Sequence, residues 1–430
     1  MRLRARHLTL AAVTVLLTGT TGTVGPASGQ PHGSPADPGG AVLSAWSVLD
    51  AETYVADSEP SGHFVTGTTA VPRPYPGQPV QGFSGTHALG DGSFLVLSDN
   101  GFGAKANSAD FLLSAHRITP ETDAADGDGT TTYDETVLTF SDPDRLIPWP
   151  TWRDGGCAAA ASLPAGYTCP APDRLLTGWD FDPESIQVAP DGSIWVGEEF
   201  GPYLLHLDAD GVLLEPPVAT PGVKSPSNPT LGTATPNLPG SKGYEGLAIS
   251  PHGRVLHPML EGATAEDVAA GMDRALRIYT VRKGEFEDDV LRYQMESKAH
   301  ALGDFVMVNQ HEALVIERDN EQGPAAAFKR IYLVDLRDTD GDGWVSKRLL
   351  VDLMDVANPD GLSPYGDPFT FPFFTIEDVE LIDARTIAVM NDNNFPATGG
   401  RSTTEPDANE YLEITLPRPL RVDRRLLPRG

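Results

Sequence analysis

Five segments of the chain superpose on one another without a gap, and a repeat of this kind limits the possible folds more than any local feature does. Residues 84–99 read SGTHALGDGSFLVLSD. Beneath them fit 184–199 (ESIQVAPDGSIWVGEE), 245–260 (EGLAISPHGRVLHPML), 304–319 (DFVMVNQHEALVIERD) and 377–392 (EDVELIDARTIAVMND). In each copy seven residues lead to a two-residue turn and seven more follow, the turns being Asp91-Gly92, Asp191-Gly192, His252-Gly253, His311-Glu312 and Ala384-Arg385. Asp-Gly between apolar or alternating runs signals a tight hairpin, because Gly accepts the positive φ such a turn needs. A two-residue turn pairs position 1 of each copy with position 16, so both ends of each hairpin meet at one edge of a sheet.

Further strand-like runs follow the copies, at 111–118, 203–207 with 212–214, 275–281, and 329–336 with 344–350, which brings each unit to about four strands. Copies begin 59 to 100 residues apart, a spacing that suits the blades of a β-propeller with long loops. The expectation is an all-β propeller of six blades, with five or seven left open and residues 41–66 helping to close the ring. With 430 residues, 40% of them hydrophobic, the chain can bury the core this needs. Only residues 263–272 suggest a brief helix. Residues 41–430 are read as one propeller domain, with a loop insertion at about 141–180.

The N-terminus carries Arg2, Arg4 and Arg6, an apolar run over 8–17, and small residues through Ala27-Ser28-Gly29, the order of a secretory signal peptide. Residues 1–29 are therefore expected to be removed, leaving 30–40 as a flexible leader; an uncleaved anchor is the alternative. In an oxidising compartment Cys157 and Cys169 are expected to pair and staple one insertion, the alternative being two free thiols. Sixty acidic against 31 basic residues give a net charge of −29, which repels phosphate backbones and anionic lipid. No other stretch approaches 18 consecutive apolar residues, which argues against a membrane span. The expected protein is secreted, extracellular and monomeric, with neither nucleic acid nor membrane as a partner.

Positions 1 and 16 hold Ser84 with Asp99, Glu184 with Glu199, Glu245 with Leu260, Asp304 with Asp319, and Glu377 with Asp392, so eight of ten are carboxylates. The first strand of a propeller blade lines the central channel, and these ends would gather as a ring of acid at one mouth. Like charges so close demand protons or a cation. Ca²⁺, which accepts six to eight oxygen ligands in loose geometry, meets that demand. The plainer alternative is that the acids cap loops and pair with Arg318, Arg385 or Lys242. A second cluster, Asp338, Asp340 and Asp342 before Gly343, opens like an EF-hand loop but has Leu349 at the twelfth position. It reads as a calcium-binding turn between strands, and Asp126 with Asp128 resembles it more weakly. Gly82-Phe83-Ser84-Gly85-Thr86 begins like a nucleophile elbow but lacks the second Gly, so a triad of Ser84 with His87 has thin support. No P-loop, HExxH, Rossmann fingerprint or CxxC occurs.

GFSGTHALGDGSFLVLSDNGFG, FDPESIQVAPDGSIWVGEEFGPYL, KGYEGLAISPHGRVL, ERDN followed by KRIYLVDL, and IEDVELIDARTIAVMNDNNFP together resemble the phytase-like proteins labelled as having esterase-like activity. The resemblance runs from about residue 42 to 416. It implies a secreted bacterial propeller, related in architecture to the calcium-dependent β-propeller phytases that hydrolyse phosphomonoesters. The resulting expectation is a calcium-dependent hydrolase of phosphate monoesters or other esters. Glu184, Glu199, Glu245, Asp304, Asp319, Glu377 and Asp392 would hold metal; all but Asp304 would also serve the activation of a water, and Lys242, Arg318 and Lys329 would steady the anion. The competing expectation is a non-catalytic extracellular binding propeller with structural calcium; a lactone-hydrolysing or quinone-dependent sugar-oxidising propeller comes third.

Overall fold

In the computed structural model, which describes residues 40–122, 129–160, 163–164, 167–337 and 340–428, the chain forms five antiparallel sheets in succession, one for each copy of the repeat. Together they make a five-bladed β-propeller. From the inside outwards, blade 1 runs Phe83–Ala88, Phe94–Ser98, Ser114–Pro120 and Thr131–Thr139. Blade 2 runs Pro183–Val188, Ile194–Glu198, Tyr203–Leu207 and Val218–Ala219. Blade 3 runs Gly246–Ile249, Val255–Met259, Ala275–Ile278 and Leu291–Gln294, with a side ribbon of Val281–Arg282 and Glu285–Phe286. Blade 4 runs His300–Met307, Glu312–Asp319, Lys329–Asp335 and Ser346–Asp352.

Blade 5 is composite and closes the ring: Asp378–Leu381, Thr386–Met390 and Asn409–Thr415 come from the end of the chain, and the outermost strand, Val42–Leu49, from its beginning. Trp46 on that strand donates its indole N–H to Glu410 at 3.0 Å. Five is the lower end of the expected range. The 100-residue interval with room for a sixth blade instead holds the outer strands of blade 1 and a long connection carrying the Cys157–Cys169 disulfide, Cα–Cα 6.1 Å, against Trp152.

Blades stack through apolar layers. Each blade interface has its own: Leu97 with Val196, Leu204 with Leu247, Met259 with Val315, Ile316 with Val379, and Val96 with Met390. Every one of these side chains is buried, and each contributes roughly 1.5–3 kcal/mol of burial. The fifth layer joins blade 5 to blade 1, so the ring is sealed by packing as well as by strand pairing. The brief helix is Ala265–Ala269, started by Thr264, whose hydroxyl accepts from the Asp267 amide.

The hairpin turns correct the sequence reading. In blades 1, 2, 4 and 5 the inner turn has three residues rather than two, as the closing bonds from Leu89 to Ser93 and from Ala189 to Ser193 record. Asp91 and Asp191 each accept from the amide and hydroxyl of the Ser two positions on, and Gly92 and Gly192 follow at φ +87°. Together with bulges in the inner strands, these turns shift the pairing at the far end of the hairpin. Residues 1–39, together with Asp126, Asp128 and Asp338, lie outside the described residues. No described helix is long and apolar enough to cross a membrane.

Candidate functional site

At the end of the channel away from the hairpin turns, the blades converge on a cavity of about 410 Å³. Blade 1 contributes Asp99 and Asn100, and blade 2 contributes Asp182, Glu184 and Glu199. Blade 3 brings Lys242, Glu245 and Glu261, and blade 4 brings Arg318 and Asn320. From blade 5 come Glu377 and Asp392, with Phe374, Thr375 and Asn394 on the approaches. Eight carboxylates and two cationic groups thus line one space.

Register decides which acids arrive there. In blade 2 the pairing shifts between Pro183 and Ser185, so the Glu199 amide bonds to the Asp182 carbonyl at 2.9 Å. Asp182, not Glu184, therefore faces Glu199 across the hairpin, and Glu184 sits on the bulge between them. Blade 1 shifts likewise, pairing Asp99 with Gly82. Gly85 in that bulge is constrained: a Cβ there would lie 2.9 Å from the Ile186 amide nitrogen of blade 2. In blade 3 alone does position 1 stay opposite position 16, Glu245 beside Leu260 in a register set by Gly246 opposite Met259. Glu261 then follows Leu260 into the cavity.

Among the described residues two groups of three carboxylates have oxygens within metal-binding reach of one another: Asp182, Glu184 and Glu199, and Glu199, Glu245 and Glu261. Glu199 belongs to both. One oxygen of Asp182, Oδ1, is buried without a hydrogen-bond partner, as expected where a ligand other than protein is accommodated. All these donors are hard oxygens, the ligand set of calcium or magnesium rather than of a soft metal. The residues present fit a divalent cation.

Charge within the cavity is partly compensated by protein. Arg318 donates through Nη2 to Glu377 at 2.9 Å and to Glu245 at 3.2 Å, and through Nη1 to Asn320 at 2.9 Å. Lys242 is paired with Glu261, and the Gly243 amide donates to Glu199 at 2.8 Å. The other acids are raised by burial and, for most of them, by one another's charge. Burial, then the Asp182 charge, pushes Asp99 up to about 8, and burial raises Asp182 to about 6. Burial first and neighbouring carboxylates second raise Glu184, Glu199, Glu245 and Asp392 well above the carboxylate range; Glu377 rises through burial, with Arg318 opposing.

Not every residue singled out in the sequence comes to this cavity. Asp304 follows a bulge and sits away from the cavity lining, accepting from Val379 of blade 5 at 2.8 Å. Beside it Asp378 is wholly buried, with no well-formed hydrogen bond to either carboxyl oxygen. Asp319 turns away into a pair with Lys329 at 2.9 Å and accepts from the amides of Ala327 and Phe328. Lys329 is fully buried and also donates to the carbonyls of Asp319, Glu321 and Phe374. It holds the loops that carry Asn320 and Phe374 instead of facing the cavity itself. Asp340 and Asp342 are exposed between the outer strands of blade 4. Ser84 donates to Glu377, while His87 lies at the other end of the channel, 3.8 Å from Glu380.

The candidate set drawn from the sequence left out Asp182, Glu261 and Asp99, all of which line the cavity. Asp99 stood in the repeat at position 16. Asp182 lies two residues before its copy and Glu261 one after, so a frame extended at both ends would have caught them; the bulge that brings Asp182 into line had no sequence signal.

A sequence model described as "Phytase-like: Esterase-like activity of phytase" matches residues 78–395. An uncharacterized secreted protein of Arthroderma benhamiae is 29% identical over 109 residues, 20% of either chain, so the match spans about a fifth of that relative's length. Among solved structures, regucalcin from Agrobacterium tumefaciens, a calcium-binding protein, aligns at TM-score 0.36 and 11% identity, covering 81% of this chain and 94% of its own. The PQQ-bound aldose sugar dehydrogenase of Streptomyces coelicolor aligns at TM-score 0.35 and 11% identity, covering 83% and 100%.

Proposed function

The chain belongs to the phytase-like family, and from that premise we propose that it is a secreted, calcium-dependent ester hydrolase acting at the acidic mouth of its channel, with phosphate monoesters as the leading substrate class. The observation that carries this reading is the pair of three-carboxylate groups sharing Glu199, set beside Arg318 and Lys242 in one cavity. Asp182, Glu184, Glu199, Glu245 and Glu261 would hold the cation. When bound, calcium would supply the positive charge that an anionic ester needs and would acidify a water.

The chain's own groups divide the remaining work. Arg318 has its guanidinium fixed by Glu245, Glu377 and Asn320, so it presents a pre-oriented donor without losing side-chain entropy on binding. Lys242 offers a second positive charge across the cavity, released as Glu261 turns to a cation. Lys329 keeps Asn320 and Phe374 in place from behind.

The test is turnover of p-nitrophenyl phosphate, p-nitrophenyl acetate and phytate by purified protein, with calcium and with excess EDTA, while the melting temperature is recorded. Calcium-dependent release from one ester class is expected. Silence on all three with a calcium-dependent melting shift would instead favour a binding propeller whose metal is structural.

A further inference from the structure

A second cavity, about 460 Å³, opens directly beside the acidic one and shares Asp99, Gly103 and Asn394 with it. Its chemistry is different. The difference is in charge: the lining is about half apolar, from Val65, Phe102, Phe395, Pro396 and Ala397, and about half polar, with Thr68, Thr69 and Thr398 among its contributors. Among the described residues Asp99 is its one acidic lining residue, and neither Lys nor Arg lines it. Phe102 and Phe395 are buried against Tyr75, with ring centroids 5.4 and 5.1 Å from it, so this wall is rigid rather than a loose flap.

We propose that the acidic mouth acts on small monoesters of flat, apolar alcohols, the leaving group lying against Val65, Phe102, Phe395 and Pro396 while the ester head meets Arg318. This deepens the hydrolase reading and rests on it. Three observations lead here. The shared rim lets one ligand reach from the carboxylate cavity into the apolar one. The apolar walls gain by covering hydrophobic surface, roughly 25 cal/mol for each Å² removed from water. And among the described residues the two cavities together offer Lys242 and Arg318, both already paired with carboxylates, as the sole cationic linings. A polyphosphate such as phytate would set its further phosphates against Asp99 and apolar walls, with nothing there to neutralise them.

The chemistry is a hydrolysis: the water oxygen forms the new bond to phosphorus, the phosphorus–oxygen bond to the alcohol breaks, and the leaving alkoxide takes up the proton the water gives up. Phosphate and a neutral alcohol result. Shape and polarity of the second cavity then enter through the alcohol, as differences in KM more than in kcat.

The experiment compares 2-naphthyl phosphate with glycerol 2-phosphate on calcium-loaded full-length protein and on Ala397→Trp, an exposed position whose larger side chain would fill the apolar cavity. The native protein is expected to favour the naphthyl ester by at least about tenfold in kcat/KM, on the order of 1.4 kcal/mol, and the variant to bring that ratio near one. Equal turnover of both esters by the native protein, or an unchanged ratio in Ala397→Trp, overturns the assignment and leaves the hydrolase reading standing. If neither ester turns over, binding of 2-naphthylmethylphosphonate is measured by calorimetry. Binding lost in Ala397→Trp supports the apolar seat while the hydrolase reading falls, and binding equal in both proteins, or none, overturns the seat as well.

Discussion

The two ends of the channel are made by the same five inner strands and have opposite characters. One end gathers eight carboxylates around an open cavity. At the other, the strand ends carry His87, Gln187, Ile249, Val306 and Glu380 around a cavity of about 280 Å³, over which Leu426, Leu427 and Pro428 of the C-terminal tail are laid. The tail is tied down there. The Asp423 amide donates to the Val308 carbonyl at 2.8 Å, Leu426 packs on two of the interblade layers, and Arg425 meets the His252 ring. Burial lowers His87 to about 4, so it is neutral at physiological pH.

The difference follows from loop length. Hairpin turns of three or four residues can cap a strand but cannot bring a distant side chain to the axis, so that end is closed with apolar chain. The acidic end receives the long connections into and out of each hairpin, and these supply Asp182, Lys242, Glu261 and Phe374. Chemistry in this propeller collects where the loops are long.

The contrast can be broken most forcibly through protons. Asp99 and Asp182, near 4 in an unfolded chain, lie at about 8 and about 6 in the metal-free fold, so between pH 4 and 8 the folded state binds more protons than the unfolded one. Stability must then fall as pH rises across that window. For EDTA-treated protein the melting temperature is expected to be at least about 5 °C lower at pH 8 than at pH 5, and calcium, which binds the ionised acids, should reverse the trend. A flat profile without metal would mean that the acidic mouth is hydrated well enough to hold its charges unaided.

A smaller effect is expected at the opposite end. Deleting residues 423–430 removes Leu426 and exposes the apolar surface it covers, a loss on the order of 1–3 kcal/mol, seen as a melting temperature lower by a few degrees. Ester turnover should stay within about twofold of the native rate, because the deletion touches nothing in the acidic cavity. A large loss of turnover would show that the two ends are coupled.

Much of this was legible in the sequence. The ungapped repeat carried the architecture, because each copy spells an inner hairpin, and Asp91-Gly92 and Asp191-Gly192 mark their turns. The recurrence of acid at the hairpin ends pointed to Glu184, Glu199, Glu245, Glu377 and Asp392, which do share the cavity. What could not be read was register. A third turn residue and a bulge move the pairing by one or two positions, enough to bring in Asp182 and to leave Asp304 and Asp319 outside. Blade count was ambiguous for a related reason: the outer strand of blade 5 is supplied by residues 42–49, far away in the chain.

The account turns on whether the carboxylate mouth holds a divalent cation, and the direct measurement is a calorimetric calcium titration of EDTA-stripped, exchanged protein beside Glu199→Gln, with folding of both checked by melting. Glu199 is shared by both three-carboxylate groups, so the variant should weaken calcium binding by at least about tenfold, on the order of 1.4 kcal/mol, and melt no lower than the native protein without metal. Equal calcium affinity in the two proteins would place the ion elsewhere, with the exposed Asp340 and Asp342 turn the first place to look, and would reduce the acidic ring to a set of buried, protonated acids.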